Sequence, residues 1–222
     1  MELLYSGLKK LDLASNQLLY DKLEQYVALI EQYNPVMKLV GAGGDELVIK
    51  HILDSLAPLS MIQKLLPKSL NAGLSDLALA FDTASLVDVG SGAGLPGIPL
   101  AIALPNTQVT LLDRMTRRIN FLHIVQEELK LANVVIMEEQ AERAKGKYDI
   151  VTFRAFRPFE RKLFKKVFAL CSPNGHILAY KGKKDKSEAE LKEIEGLYSL
   201  ARIEPVTVPF LPDERCMVIM KP

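Results

Sequence analysis

An apolar run that passes directly into a glycine-dense turn limits the folds open to this chain more than any other part of its sequence. Residues 85–89 have the composition of a buried strand, and Gly90, Gly92, Gly94 and Gly97 follow at once. Glycine has no Cβ, so it permits left-handed turns and lets a ligand approach the main chain. A strand that ends in such a turn and opens a helix predicts a cofactor site at the carboxyl edge of a parallel sheet.

The region after residue 84 alternates short apolar runs with longer amphipathic segments, which is typical of a parallel α/β sheet. We predict strands at residues 85–89, 109–112, 134–137, 150–153 and 176–180, helices at 97–103, 117–129, 159–170 and 187–198, and an antiparallel edge from strands at 206–210 and 216–220. Apolar residues at helical spacing also predict helices at residues 15–33 and 45–66. We therefore divide the chain into a helical N-terminal region (1–66), a connector (67–84) and an α/β core (85–222).

Composition excludes several classes of protein. The 222 residues carry 28 Lys and Arg against 27 Asp and Glu, a net charge of +1, so nucleic-acid binding requires local clusters of charge. Cys171 and Cys216 are the two cysteines, which indicates neither a disulfide framework nor a cysteine-rich zinc site. No segment has the length of an apolar membrane span. We expect a cytoplasmic, monomeric protein with no metal and no membrane contact.

The glycine pattern alone does not determine which cofactor the site binds. Gly92-x-Gly94-x-x-Gly97 matches the dinucleotide fingerprint, and Asp113 follows at about 20 residues, where a ribose-binding acid belongs. A nicotinamide-dependent oxidoreductase is therefore one alternative. Two features favour S-adenosylmethionine instead: the additional Gly90, and Asp88 at the strand tip, where a carboxylate can hold the amino group of a methionine moiety.

Several islands of sequence, taken in order, resemble the RsmG (GidB) family, whose members methylate N7 of a guanine in bacterial small-subunit (16S) ribosomal RNA. These islands are residues 50–55, 88–99, 111–113, 118–122, 141–142, 154–156 and 181–182. The resemblance implies a class I S-adenosylmethionine-dependent methyltransferase fold, which is Rossmann-like with a mostly parallel seven-stranded sheet. It also implies 16S ribosomal RNA, or the small ribosomal subunit, as the partner. A non-catalytic ribosome-assembly factor that kept this fold is a further alternative, although its expected signs, a broken glycine turn or a missing Asp113, are not seen.

The candidate site residues follow from the glycine turn and the resemblance together. The cofactor candidates are Asp88, Gly90, Ser91, Gly92, Gly94, Leu95, Asp113, Gln140, Ala141, Glu142 and Arg154. Arg154 and Lys181 are expected to position the reactants. We expect no general base, because guanine N7 offers a lone pair and has no proton to remove.

Basic residues cluster late in the chain, where RNA contact is expected. Residues 154–186 contain ten Lys and Arg against two acids, a local charge of +8. The RNA-binding candidates are Arg117, Arg118, Lys165, Lys181 and His51. A solvated helix face explains Lys165 equally well, and a local surface pair with Asp54 explains His51 equally well.

Overall fold

A computed structural model of the protein describes residues 2–67 and 84–222. Seven strands form one sheet in the order β3-β2-β1-β4-β5-β7-β6. The strands are β1 (Ser85–Val89), β2 (Gln108–Asp113), β3 (Val134–Glu138), β4 (Tyr148–Arg154), β5 (Cys171–Lys181), β6 (Leu200–Pro205) and β7 (Cys216–Lys221). Strand β7 runs antiparallel to both β5 and β6, and the other pairings are parallel.

The described helices lie before and between these strands. They are α1 (Glu2–Lys10), α2 (Gln17–Met37), α3 (Gly44–Leu47), a π-helical turn (Val48–Leu53), α4 (Asp54–Leu56), α5 (Leu59–Leu65), α6 (Gly97–Ala103), α7 (Thr116–Glu128), α8 (Arg161–Ala169) and α9 (Lys184–Glu193). No helix within residues 2–67 and 84–222 is long and apolar enough to cross a membrane.

The two faces of the sheet are covered by different helices, because successive strand residues point to opposite sides. On β1, Leu86 packs in the cluster that includes the N-terminal helices, α6 and α7, whereas Val87 and Val89 pack in the cluster that includes α8. The N-terminal helical region therefore shares one continuous core with the sheet.

The order of the strands locates the site. β1 pairs with β2 on one side and β4 on the other, so the direction in which the chain winds reverses between β1 and β4. Ligands of open α/β sheets bind outside the carboxyl ends of the strands at such a reversal. The glycine turn that follows β1 lies there.

The predicted helices and the final hairpin differ from the structure in several places. The helix predicted at 187–198 is α9, Lys184–Glu193, and α1 was not predicted. The helix predicted at 15–33 extends to Met37 and includes Pro35, and the one predicted at 45–66 is broken into α3, the π-helical turn, α4 and α5. The strand predicted at 206–210 is wrong, because β7 pairs instead with Leu200–Pro205. Most of the predicted connector lies outside the described residues.

Candidate active site

The glycine turn is fixed to the end of β2 by its own backbone. The N–H groups of Gly90 and Ser91 donate to the carbonyl oxygen of Leu112 at 2.8 and 3.0 Å. Gly90 has φ +74°, and a Cβ there would lie 2.6 Å from the Phe156 ring. Gly92 has φ +63°, but the nearest atom to its Cβ position is 3.9 Å away. The turn is thus tightly packed at Gly90, against Phe156, and leaves space for a ligand at Gly92.

Asp88 lies beneath this turn, so its position differs from the expected one facing the cofactor. Its Oδ2 accepts hydrogen bonds from Ser91 Oγ at 2.7 Å and from the Gly97 N–H at 2.9 Å. Its Oδ1 is buried and has no hydrogen-bond partner within the described ranges. Burial raises the pKa of Asp88 to about 6. This carboxyl group therefore holds the turn in place from below.

Asp113 ends β2 and supports the turn from the side. Its Oδ2 accepts from the Gly92 N–H at 2.9 Å and from Arg118 Nη1 at 3.2 Å, and its Oδ1 accepts from the Met115 N–H at 2.9 Å. A carboxylate offers about four acceptor positions, so one remains for a ligand. This geometry is compatible with the predicted bond to a ribose hydroxyl.

Two cavities, of about 540 and 180 Å³, lie along the carboxyl edge of the sheet. They have Gly90, Arg118 and Ala155 as common lining residues, so they adjoin along one trough. Of the cofactor candidates, the larger cavity is lined by Gly90, Ser91, Gly92, Leu95 and Arg154, and the smaller by Gly90, Asp113, Ala141 and Glu142. Asp88, Gly94 and Gln140 line neither cavity.

Arg154, the last residue of β4, connects the sheet to the N-terminal region. Its Nη1 donates to Asp54 Oδ2 at 2.8 Å and to the Lys50 carbonyl oxygen at 3.0 Å, and its Nη2 lies 2.9 Å from His51 Nδ1. Arg215 Nε donates to the other oxygen of Asp54 at 3.1 Å. We call Arg154, Asp54, His51 and Arg215 the arginine network.

The arginine network excludes the interpretation of His51 and Asp54 as a local surface pair. Asp54 is buried and His51 is half-buried, and both contact Arg154, so they are not a local surface pair. Burial, followed by the positive charge of Arg154, lowers the pKa of His51 to about 4. The π-helical turn that carries His51 is a backbone form often found at functional sites.

The RNA-binding candidates fall into two groups. Lys181 and Arg118 line the larger cavity together with His51, but Lys181 Nζ is paired with Glu190 and lies 4.1 Å from the centroid of the Phe159 ring. Arg117 on α7 and Lys165 on α8 are exposed and line neither cavity. The two helices cover opposite faces of the sheet, so the structure does not bring these two side chains together.

Sequence reasoning missed several residues that shape the larger cavity. Asn34 Oδ1 accepts from the N–H groups of Leu39 and Val40, which places both residues on the cavity wall. Arg215 lines the same cavity and lies 161 positions from Asp54. A contact so distant along the chain leaves no local pattern in the sequence.

Solved structures place this architecture in a class of proteins. One similar structure is the magnesium protoporphyrin IX methyltransferase of Synechocystis PCC 6803 with bound S-adenosylmethionine; its TM-score is 0.54 at 18% identity, over 89% of this chain and 97% of that one. Another is the 16S rRNA (adenine(1408)-N(1))-methyltransferase of Catenulisporales acidiphilia, with a TM-score of 0.53 at 14% identity over 70% of this chain and 95% of that one. The fold is that of the class I S-adenosylmethionine-dependent methyltransferases.

Sequence comparison then identifies the family. The family model for rRNA small subunit methyltransferase G, GidB, matches residues 19–218. Ribosomal RNA small subunit methyltransferase G of Treponema denticola is 33% identical, over 99% of this chain and 93% of the relative. The Klebsiella pneumoniae protein of that name is 34% identical, over 98% and 93%. The chain therefore belongs to the rRNA small subunit methyltransferase G family.

Family membership confirms the predicted resemblance, fold class and cofactor, S-adenosylmethionine. It leaves no support for the nicotinamide-dependent oxidoreductase, although Gly92, Gly94 and Gly97 fit that fingerprint. The pattern was ambiguous because both kinds of cofactor require a backbone without Cβ atoms after the first strand.

Proposed function

We propose that this chain transfers a methyl group from S-adenosylmethionine to N7 of one guanine in 16S ribosomal RNA, in the small subunit or a precursor of it. The observation that carries the proposal is the charge balance of the larger cavity. Asp54 is the one acidic residue among its described lining residues, and guanidinium groups of Arg154 and Arg215 bind both of its oxygens. A carboxylate paired twice is a poor general base, and methylation at N7 requires none.

In this proposal the cofactor would lie along the trough with its adenosine end in the smaller cavity. Asp113 has one acceptor position left for the ribose, and Ala141 and Glu142 form the wall where the adenine would lie. The methionine end would cross the glycine turn at Gly90 and Gly92. S-adenosylmethionine supplies an electrophilic methyl group carried on a sulfonium.

The guanine would enter the larger cavity beyond Arg154, between the ends of β4, β5 and β7. The walls here include Tyr180, Lys181 and Met217. The task of these residues is to hold N7 in line with the methyl group and to exclude water. Correct orientation of two reactants contributes up to about 7–11 kcal/mol in favourable cases.

RNA contacts are proposed around the mouth of the trough. Arg118 lines both cavities, Arg114 lines the smaller one, and Arg117 is exposed on the same helix as Arg118. Lysine and arginine side chains in such positions bind phosphates and set the register of the nucleic acid. Cytoplasmic location, the monomeric state and independence from metal stay predictions.

Transfer of tritiated methyl groups tests this proposal. Small subunits that lack the modification should take up label from S-adenosylmethionine, whereas large subunits should not. Binding of S-adenosylmethionine measured by calorimetry is the control. If the cofactor binds but no ribosomal RNA is labelled, the proposed function fails and the non-catalytic assembly factor takes its place.

A further inference from the structure

The arginine network fixes the protonation of His51. Arginine carries five N–H donors and no acceptor, so the contact of 2.9 Å between Arg154 Nη2 and His51 Nδ1 requires Nδ1 to accept. In a neutral imidazole the proton must then reside on Nε2. The lowered pKa of His51, about 4, agrees with a neutral ring at physiological pH.

The remaining donor of His51 is available to a substrate. His51 lines the larger cavity, and its Nε2 has no hydrogen-bond partner among residues 2–67 and 84–222. The neighbouring cations are engaged in ion pairs. Arg154 and Arg215 are bonded to Asp54, and Lys181 is paired with Glu190.

Guanine and adenine differ in the exocyclic group on C6, which lies beside N7 on the same edge of the base. Guanine carries the acceptor O6 there, whereas adenine carries the donor amino group N6. An imidazole held with its proton on Nε2 donates to O6 and cannot accept from N6. Because it is neutral, it also adds no full positive charge beside a base that becomes cationic on methylation.

We propose that His51 selects guanine by donating a hydrogen bond from Nε2 to O6, and that Arg154 acts as a positioning residue that holds the imidazole in this tautomer. The inference rests on the proposed function, since it requires a purine in the larger cavity with N7 toward the methyl group. It gives a chemical reason why this site would accept guanine and reject adenine.

The test compares small subunits that carry guanosine or adenosine at the modified position. His51→Ala should lower kcat/KM for guanosine subunits by about tenfold to a hundredfold, because a buried acceptor loses its donor. The dissociation constant for S-adenosylmethionine should stay within about twofold of wild type. Adenosine subunits should remain unmethylated by this variant, because it supplies no acceptor for N6.

His51→Gln provides the sharper readout. A glutamine amide donates and accepts, so this variant should recover most of the activity on guanosine and should begin to methylate adenosine. His123→Gln is the matched control, because His123 is exposed on α7 and lines neither cavity. Melting temperatures of all three variants establish that each is folded.

Three results would overturn the inference. They are unchanged kcat/KM in His51→Ala, a weaker cofactor affinity that accounts for the whole loss, or no advantage of Gln over Ala. Failure of the proposed function looks different, because the wild-type enzyme would then methylate no guanosine subunits at all. In that case the role assigned to His51 falls with it.

Discussion

Replacing Arg154 with methionine tests whether the arginine network anchors the N-terminal region to the sheet. The Arg154 and Asp54 side chains are 13% and 7% exposed and are joined at 2.8 Å. Removing one partner of a buried ion pair costs about 3–5 kcal/mol, because the other charge is left without its partner. Arg215 still holds one oxygen of Asp54 at 3.1 Å, so we expect the lower end, about 3 kcal/mol.

Arg157→Met is the matched control for that variant. Arg157 lies three positions after Arg154, beyond the end of β4, and pairs with Glu142 at 3.2 Å, but these side chains are 44% and 39% exposed. Such surface pairs contribute about 0–1 kcal/mol. Urea unfolding at neutral pH measures both, and the melting temperature of Arg154→Met should fall by about 6–12 °C. Equal losses below about 1 kcal/mol in the two variants would refute the reasoning.

Three further variants test the glycine turn and its supports. Asp113→Ala should raise the dissociation constant for S-adenosylmethionine, measured by calorimetry, by about tenfold or more; an unchanged constant would remove Asp113 from the site. Gly90→Ala should destabilise the chain by about 1–3 kcal/mol in urea, because the new Cβ meets Phe156 at 2.6 Å and φ is +74°, while Gly41→Ala, with no atom within 4 Å, should be nearly neutral. Burial raises the pKa of Asp88 to about 6 from about 3.9 in an unfolded chain, so the stability it contributes is present below about pH 4 and is lost as pH rises through 6. The unfolding free energy of Asp88→Asn minus that of wild type should therefore increase between pH 4 and pH 7, and a flat difference would contradict the raised pKa.

The local sequence pattern was sufficient to predict the strand and the helix at the centre of the sheet. Residues 85–89 and 97–103 were predicted as a strand and a helix and have those bounds in the structure. The reason is physical: parallel strands buried on both faces are nearly continuous apolar runs, and the glycine turn marks where the strand ends.

The edge of the sheet was harder to predict. Strand β6, Leu200–Pro205, contains Arg202 and Glu204 and is largely exposed, so apolar alternation does not mark it. The more apolar residues 206–210 were taken for the strand instead. They follow β6, where Val206 lines the larger cavity and Val208 is buried in the core.

The site could be predicted where it depends on local chemistry and not where it depends on long-range contacts. The glycine turn and Asp113 follow from strand, turn and spacing. The bond between Arg154 and Asp54 joins residues 100 positions apart, and Asp54 was not among the predicted site residues. The orientation of Asp88 was also hidden, because a carboxylate at a strand tip can face the ligand or the turn.

The central claim is that the acceptor is N7 of a guanine. It is tested most directly by methylating unmodified small subunits, then treating the extracted RNA with borohydride and aniline, which cleaves the chain at N7-methylguanosine. The account predicts a single cleavage site in 16S ribosomal RNA that depends on both enzyme and S-adenosylmethionine. Label incorporated into this RNA without any cleavage would place the methyl group on another atom and contradict the account.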